Sequence, residues 1–480
     1  MRRKRIGFRT MAALLIVCSS GILLVGQEGW THLDDELINQ RFYDPGSYAA
    51  SVTEMLSAAL GFIVTTPDLA GRVWDHAEPI NMPGLGRPGA IVLQAMQSCC
   101  SAFVVVTCNR QLPPIIAYSP TSDLETQPSA CNAVHDMLVW DLQERFRAIE
   151  DGSAPEEDLA KNRRHWEELL WHGTWGGFDF ESGVNPTSFN ASYASTAQPP
   201  EGSVTIRIGS NERPTCQLTV SAPQGPWLRF ETWNQTTPPC NAACPLDRGE
   251  PSMAGCVALA MAQIIYHWRY PDSVELPDEM VHWETHQPQP GHTLRKGSYR
   301  KSEADIPRID YSNLPTCKEK LTHAAGFSAE TIYSSKVSVA TLEQAATALQ
   351  DVWGYEAEYA ENDDGFLSYR VHKEVAQFKG RIFFLNVVRN GQPVILGVPQ
   401  RRIGNEDQWV AHPREPLHAV IVHGYMAGSA GNDQIFYFLN SGWGGQNDCY
   451  YSLPCGYPRD HNVVRAAVLG IHPTPASVLE

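Results

Sequence analysis

Apolar side chains recur at helical spacing in two segments of the chain. In residues 131–149, and again in the segment that follows Cys256, apolar positions return every three or four residues, which is the spacing of one face of an α-helix. Residues 156–171 predict a third helix, because acidic side chains fill its first turn, where the helix dipole favours negative charge. We therefore expect two helices before residue 172 and one that begins near Cys256.

Short runs of β-branched and aromatic residues predict two pairs of strands. The first pair covers residues 101–107 and 114–118, and the second covers residues 417–424 and 434–440. The second pair flanks a Gly-rich loop, which is typical of a hairpin. Helices followed by a sheet along the chain predict the α+β class.

A change in composition separates two parts of the chain. Residues 172–225 are rich in Gly, Ser, Thr, Asn and Pro, which is typical of a linker, although residues 204–209 could form a short strand. Because 480 residues exceed one ordinary globular core, we expect two folded domains. We predict a smaller α+β domain over 28–171, a linker and activation region over 172–225, where proteolysis is easiest, and a second domain over 226–480.

Residues 1–27 have the composition of a secretory signal peptide. Basic side chains precede an apolar run at residues 11–25. That run is shorter than the roughly 20 apolar residues that a membrane span needs. We therefore expect the protein to be secreted, outside the cell or into a periplasm. Because the cleavage site is weak, an uncleaved N-terminal anchor is the alternative.

The charge balance limits the possible partners. The chain has 43% hydrophobic and 19% charged residues, as a globular protein does, and its formal net charge is -16. An acidic surface argues against nucleic acids and anionic membranes as partners. We therefore expect no nucleic-acid partner, and no membrane contact apart from that anchor.

Cysteine usage agrees with export. Apart from Cys18 and Cys256 the chain has an even number of cysteines, which in an exported protein predicts disulfides. Two pairs are close enough in sequence to be local bridges, namely Cys240 with Cys244 and Cys449 with Cys455. The first pair could instead be half a zinc site, but no second pair with zinc-ligand spacing accompanies it.

Cys256 has the first claim to chemistry. The predicted helix places it in the first turn, where free backbone N–H groups and the positive end of the helix dipole favour a thiolate. Gly255 beside it would leave room for a substrate carbonyl. The alternative is a structural cysteine buried on an amphipathic helix.

Four further side chains could complete a site around this thiol. His418 begins a strand whose hairpin partner ends at Asn440, so the ring could take the thiol proton while the Asn440 amide holds it. Trp443 could shield that hydrogen bond from water. The Gln235 side-chain amide, with the Cys256 backbone N–H, could stabilise an oxyanion. Each of these residues alone is an ordinary turn, core or surface residue.

These residues lie in stretches that resemble the streptopain family of bacterial cysteine peptidases, which are secreted zymogens with a papain-like catalytic domain. Four stretches carry the resemblance, and they occur in the family's order: residues 232–235, 254–271, 418–424 and 436–445. Residues 103–119 and the helix after them are similar to the family's inhibitory prosegment.

The resemblance implies a role for each candidate. Cys256 would be the nucleophile and His418 the general base and acid, while Gln235 would serve the oxyanion, Asn440 would orient the imidazole and Trp443 would flank it. The fold implied is α+β, with a helical part that carries the cysteine and an antiparallel sheet that carries the histidine and asparagine. A prodomain would inhibit the enzyme intramolecularly, the substrates would be proteins or peptides, and no metal or organic cofactor is implied.

Two departures and two alternatives accompany this interpretation. Ser441 stands where the family has a tryptophan, and residues 400–417 form a longer, more charged segment than the family's Gly-rich loop. Substrate preference is therefore not carried over. A catalytically silent papain-like binding protein, or a cysteine amidase that acts on cell-wall peptides, would retain the same four stretches.

Overall fold

The computed structural model describes most of the chain, in ranges separated by gaps. The described residues are 15–18, 21–24, 48–69, 72, 74, 76–82, 87–95, 101–127, 132–175, 203–208, 216–221, 228, 233–247, 249–276, 304–361, 391–402, 405–410, 417–427, 434–453 and 463–474.

The helices and strands of these residues are numbered in chain order. The α-helices are α1 (Val52–Thr65), α2 (Ala133–Glu150), α3 (Glu156–Trp175), α4 (Cys256–Trp268), α5 (Leu314–Ser328) and α6 (Leu342–Asp351). The strands are β1 (Leu15–Cys18), β2 (Gly21–Leu24), β3 (His76–Met82), β4 (Arg87–Ala95), β5 (Ala102–Thr107), β6 (Ile115–Ser119), β7 (Ser203–Ile208), β8 (Cys216–Ser221), β9 (Leu246–Asp247), β10 (Glu250–Pro251), β11 (Tyr355–Glu361), β12 (Val394–Val398), β13 (Gln400–Arg402), β14 (Asn405–Val410), β15 (His418–Ala427), β16 (Ile435–Asn440), β17 (Cys449–Tyr451) and β18 (Ala466–Pro473).

The first compact unit comprises residues 1–123, 159–221 and 429–432. Its core is an antiparallel sheet in the order β6-β5-β4-β3. Helix α1 starts with a capping box, in which Ser51 and Glu54 satisfy each other's backbone N–H groups, and it packs against β5. The strand pair predicted at 101–107 and 114–118 is confirmed as β5 and β6.

The second compact unit comprises residues 124–158, 222–428 and 433–480. It holds an antiparallel sheet in the order β11-β18-β12-β15-β16-β17. Helix α4 packs against β15 and against α5. The two helices approach so closely that a Cβ atom on Gly326 would lie 3.0 Å from the Cβ of Ala258. Small residues therefore allow this contact. The predicted α+β class is confirmed.

The predicted domain boundaries remain predictions, and the structure adds two observations to them. Helix α2 lies in the second unit, although the sequence placed it within the domain over 28–171. Within the proposed linker, β7 and β8 pair as antiparallel strands, as expected for residues 204–209. The rest of the linker after Trp175 lies outside the described residues, as does the signal segment 1–27 apart from the paired strands β1 and β2.

The structure does not form the local bridge that the spacing of Cys240 and Cys244 allows. Both thiols are free and buried. Cys244 lies beside the Tyr333 hydroxyl, and burial is the main cause that raises its pKa to about 12, so it stays protonated at neutral pH. Cys449 is also free and buried, while Cys455 lies outside the described residues.

The described ranges contain neither a membrane-crossing helix nor a cluster of metal-ligating side chains. No helix there is both long enough and apolar enough to cross a membrane. The same ranges contain no group of three or more His, Cys, Asp or Glu side chains arranged for a metal ion.

Candidate active site

Helix α4 begins at Cys256 because Gly255 turns the chain into it. Gly255 has φ of 88°, a backbone conformation that side chains with a Cβ rarely adopt. A Cβ atom there would also lie 3.3 Å from the carbonyl oxygen of Ser338. Cys256 is partly exposed, whereas the helix residues that follow it are buried as far as Ile265. The fold therefore anchors the helix and leaves its first side chain accessible.

The sulfur of Cys256 lies against the first residues of β15. Its Sγ accepts a hydrogen bond from the Ala419 N–H at 3.3 Å and, as a thiol, can donate to the Leu417 carbonyl at 3.8 Å. The His418 side chain is also hydrogen-bonded to this sulfur. The structure thus brings together the two residues that the sequence proposed as nucleophile and base.

The pKa values of this pair are displaced in opposite directions. Burial raises the pKa of the Cys256 thiol. The His418 charge, the hydrogen bond from His418 and backbone donors that include Ala419 together lower it by more, so the thiol pKa is below its ordinary value. Burial lowers the pKa of His418, but the thiolate, the Ser441 carbonyl and the Asp136 carboxylate together raise it above its ordinary value. Both shifts favour a thiolate beside an imidazolium.

The second ring nitrogen of His418 has a different partner from the one predicted. Its Nε2 lies 3.1 Å from the Ser441 carbonyl oxygen. The Asn440 amide instead donates to Gln263 Oε1 at 2.8 Å and accepts from the Gly442 N–H at 2.9 Å. The expected contact between Asn440 and His418 is therefore replaced by a contact to the backbone of the next residue.

The strand register explains this difference. Asn440 pairs with Ile421 across β15 and β16, so the chain reaches the level of His418 only after β16 has ended. The Asn440 side chain points to α4, where Gln263 is buried, while the Ser441 carbonyl faces the imidazole.

Gln235 and Trp443 lie on two chain segments that pair with each other. The Gln235 N–H donates to the Gly442 carbonyl at 3.3 Å, and the Gln235 carbonyl accepts from the Ala254 N–H at 2.8 Å. Trp443 forms a β-bridge with Asn234, and both Trp443 and Gln235 are buried. These bonds fix Gln235 between the turn after β16 and the entrance to α4.

Sequence reasoning missed Gln263 and Asp448 as parts of this region. Gln263 gave a usable signal, since it is a polar residue within the otherwise apolar part of α4. Asp448 gave none, because a lone aspartate after a Gly-rich turn is usually solvent-exposed. In the structure it is fully buried and accepts a hydrogen bond from the Ser441 N–H.

The chain is similar to one described protein family and to two solved structures. Residues 233–451 match the model of the Peptidase C10 family, a range that contains all five candidate residues. No curated protein matches the chain significantly.

Two solved structures from Prevotella intermedia are similar. One is a fragment of a prointerpain A mutant, at 14% identity and a TM-score of 0.45, covering 83% of this chain and 99% of the other. The second is active wild-type interpain A cysteine protease, at 19% identity and a TM-score of 0.31, covering 50% of this chain and 92% of the other. Residues 233–451 are therefore similar to the Peptidase C10 family, in agreement with the resemblance to the streptopain family that the sequence motifs indicate.

Proposed function

We propose that the protein is a secreted cysteine endopeptidase, made as a zymogen, that hydrolyses peptide bonds through a thioester on Cys256. The observation that carries this proposal is the contact between the Cys256 sulfur and the His418 side chain at the start of α4, with the thiol pKa lowered and the imidazole pKa raised. A thiolate paired with an imidazolium is a nucleophile and an acid ready in one site.

The reaction balances with these two groups and water. The Cys256 thiolate attacks the scissile carbonyl carbon, and His418 gives its proton to the leaving amine as the C–N bond breaks. His418 then takes a proton from water, whose oxygen attacks the thioester, and the departing thiolate restores the pair. The Gln235 amide and the Cys256 backbone N–H stabilise the oxyanion in both steps.

Replacing Gln235 by alanine tests the oxyanion role. We expect Gln235→Ala to lower kcat by about 10²–10³-fold with little change in KM, because the donor acts on charge that develops only in the transition state. Initial rates on a peptide substrate over a range of concentrations separate the two constants. Thr237→Ala, an exposed neighbour, is the matched control. A rise in KM at unchanged kcat would assign Gln235 to substrate binding instead.

Latency is the second part of the proposal, and α2 supports it. Within the second unit, this helix is hydrogen-bonded to the last residue of β17 and to the residue that follows it. Arg145 and Asp141 form a buried ion pair at 2.8 Å, the Tyr451 hydroxyl donates to Asp141 at 2.6 Å, and Arg145 donates to the Ser452 carbonyl at 2.8 Å. Removing one partner of a buried ion pair leaves an uncompensated charge and is strongly destabilising, so these bonds hold α2 in place.

A second contact of α2 reaches the segment that precedes His418. The Asp136 carboxylate lies 3.2 Å from the Arg401 guanidinium and accepts the Arg401 N–H at 3.0 Å. Arg401 belongs to β13, which follows β12, and the last residue of β12, Val398, pairs with His418. Residues before Cys256 therefore bind the edge of the candidate site, as an inhibitory prosegment would.

Removing this contact should shorten latency. We expect Asp136→Asn to speed self-processing of the full-length precursor by about tenfold, because a charge-assisted hydrogen bond to a buried carboxylate contributes about 1.5–3 kcal/mol. Mass spectrometry of samples taken during incubation under mild reduction follows the precursor. Glu150→Gln, at the exposed end of the same helix, is the control. If the Asp136→Asn and Glu150→Gln precursors are processed with identical time courses, Asp136 has no role in latency.

Export rests on the basic and apolar segment at residues 1–27. The proposal is checked by the mass of the protein recovered from the medium of an expression host. A chain that keeps residues 1–27 and stays with the membrane fraction would instead indicate an N-terminal anchor.

A further inference from the structure

The turn between β16 and β17 contains a buried carboxylate. Asp448 is fully buried, and its Oδ1 accepts the Ser441 N–H at 2.8 Å. The Ser441 hydroxyl lies 3.0 Å from the same oxygen and 2.8 Å from the Gln446 carbonyl. A carboxylate is buried in this way only when donors compensate its loss of water.

Ser441 connects this carboxylate to the imidazole. Its N–H binds Asp448, and its own carbonyl lies 3.1 Å from His418 Nε2. Ser441 is fully buried, so water does not compete at either end. Successive hydrogen bonds polarise one another in such surroundings, which makes the carbonyl a stronger acceptor.

The charge of Asp448 is felt by its neighbours. Burial raises the pKa of the adjacent Cys449 thiol, and the Asp448 charge raises it further. Around His418, the described titratable groups that act on the ring are Cys256 on α4 and Asp136 on α2, and Asp448 stands behind Ser441. Asp136 belongs to the segment that we propose is removed on maturation, whereas Asp448 stays.

We propose that Asp448 is a positioning residue for His418, acting through the backbone of Ser441 to hold Nε2 as the protonated nitrogen and leave the other ring nitrogen for the Cys256 sulfur. This proposal rests on the proposed peptidase function. It assigns to Ser441 and Asp448 the role that the sequence pattern predicts for the Asn440 side chain, and Ser441 is the position where this chain departs from the tryptophan of the family.

The test is Asp448→Asn in the mature enzyme, obtained by self-processing of the full-length precursor. The amide oxygen can still accept the Ser441 N–H, so the change removes the charge and little else. We expect kcat/KM on a peptide substrate to fall by about one to two orders of magnitude. The descending limb of its pH profile should move to lower pH by about 0.5–1 unit, because the imidazolium loses a stabilising anion.

Matched variants separate positioning from general structure. Asp448→Glu keeps the charge and should hold the descending limb at its wild-type position. Asp351→Asn, an exposed carboxylate at the end of α6, is the control for loss of a charge. If Asp448→Asn does not fold, Asp448→Glu carries the test: a descending limb that moves although the charge is kept would overturn the proposal.

A measurement without substrate keeps this proposal distinct from the peptidase function. The rate of Cys256 alkylation against pH reports the thiolate directly, and Asp448→Asn should shift it to higher pH because its imidazolium partner is weaker. An unmoved alkylation profile and an unmoved descending limb, with kcat lowered, would make Asp448 merely structural and overturn the proposal. A shifted alkylation profile in a protein that cleaves no peptide would support it and reject the peptidase function.

Discussion

Cys256→Ala is expected to remove peptide hydrolysis and self-processing together. Without the sulfur no thioester forms, and the remaining oxyanion donors and binding contacts cannot replace a nucleophile, so we expect a loss of more than about 10⁴-fold. Two readouts on one sample check it: hydrolysis of casein or a peptide, and the intact mass of the precursor during incubation under mild reduction.

The control for this variant is Cys317→Ala. Cys317 is a buried thiol on α5 whose pKa is raised to about 12, with burial as the main cause, so it is not a thiolate at neutral pH. It should leave both readouts unchanged. Full casein or peptide hydrolysis by Cys256→Ala would exclude this residue as the nucleophile. Activity of the wild-type enzyme on cell-wall peptides but not on proteins would favour the amidase alternative.

His418→Ala should reduce hydrolysis by more than about 10³-fold and shift thiol reactivity to higher pH. The imidazolium is the first proton donor to the leaving amine, and its charge and hydrogen bond lower the pKa of Cys256. Removing the ring leaves burial, which raises that pKa, as the largest influence. The rate of alkylation of Cys256 against pH, measured beside kcat/KM, checks both effects.

The two pKa shifts predict the shape of the wild-type profile of kcat/KM against pH. Because the pKa of Cys256 is lowered and that of His418 is raised, the ion pair forms as pH rises through the first value and is lost as pH rises through the second, so kcat/KM should be bell-shaped. His472→Ala on β18, where the ring pairs with Glu356 at 3.5 Å, is the control. An alkylation profile that stays in place without His418 would contradict the pairing.

How far the sequence predicts this site depends on what each residue's position requires. Helical periodicity with Gly255 was enough to place Cys256 at a helix start, since spacing and a glycine turn are local properties. The hairpin that carries His418 and Asn440 was predicted for the same reason, and its antiparallel pairing is confirmed.

The partner of the imidazole could not be predicted, because one residue of register decides it. The register of β15 against β16 shifts between Val422 and Tyr425, and a bulge of this kind leaves no mark in hydrophobic alternation within a buried hairpin. Without that shift known, Asn440 and Ser441 are equally placed to face His418. The burial of Asp448 could not be predicted for a related reason. Only the fold brings together the hydrogen-bond donors that allow a carboxylate to be buried.

The placement of α2 in the second unit has a kinetic consequence for activation. A cut in the region 172–225 breaks the chain but leaves the buried Arg145–Asp141 pair and its bonds to Tyr451 and Ser452 intact. We expect the immediate product to be a complex of two chains, with peptidase activity appearing as this complex dissociates. Activation should therefore show a lag after cleavage, shorten on dilution, and end early if a second cut removes the released helix.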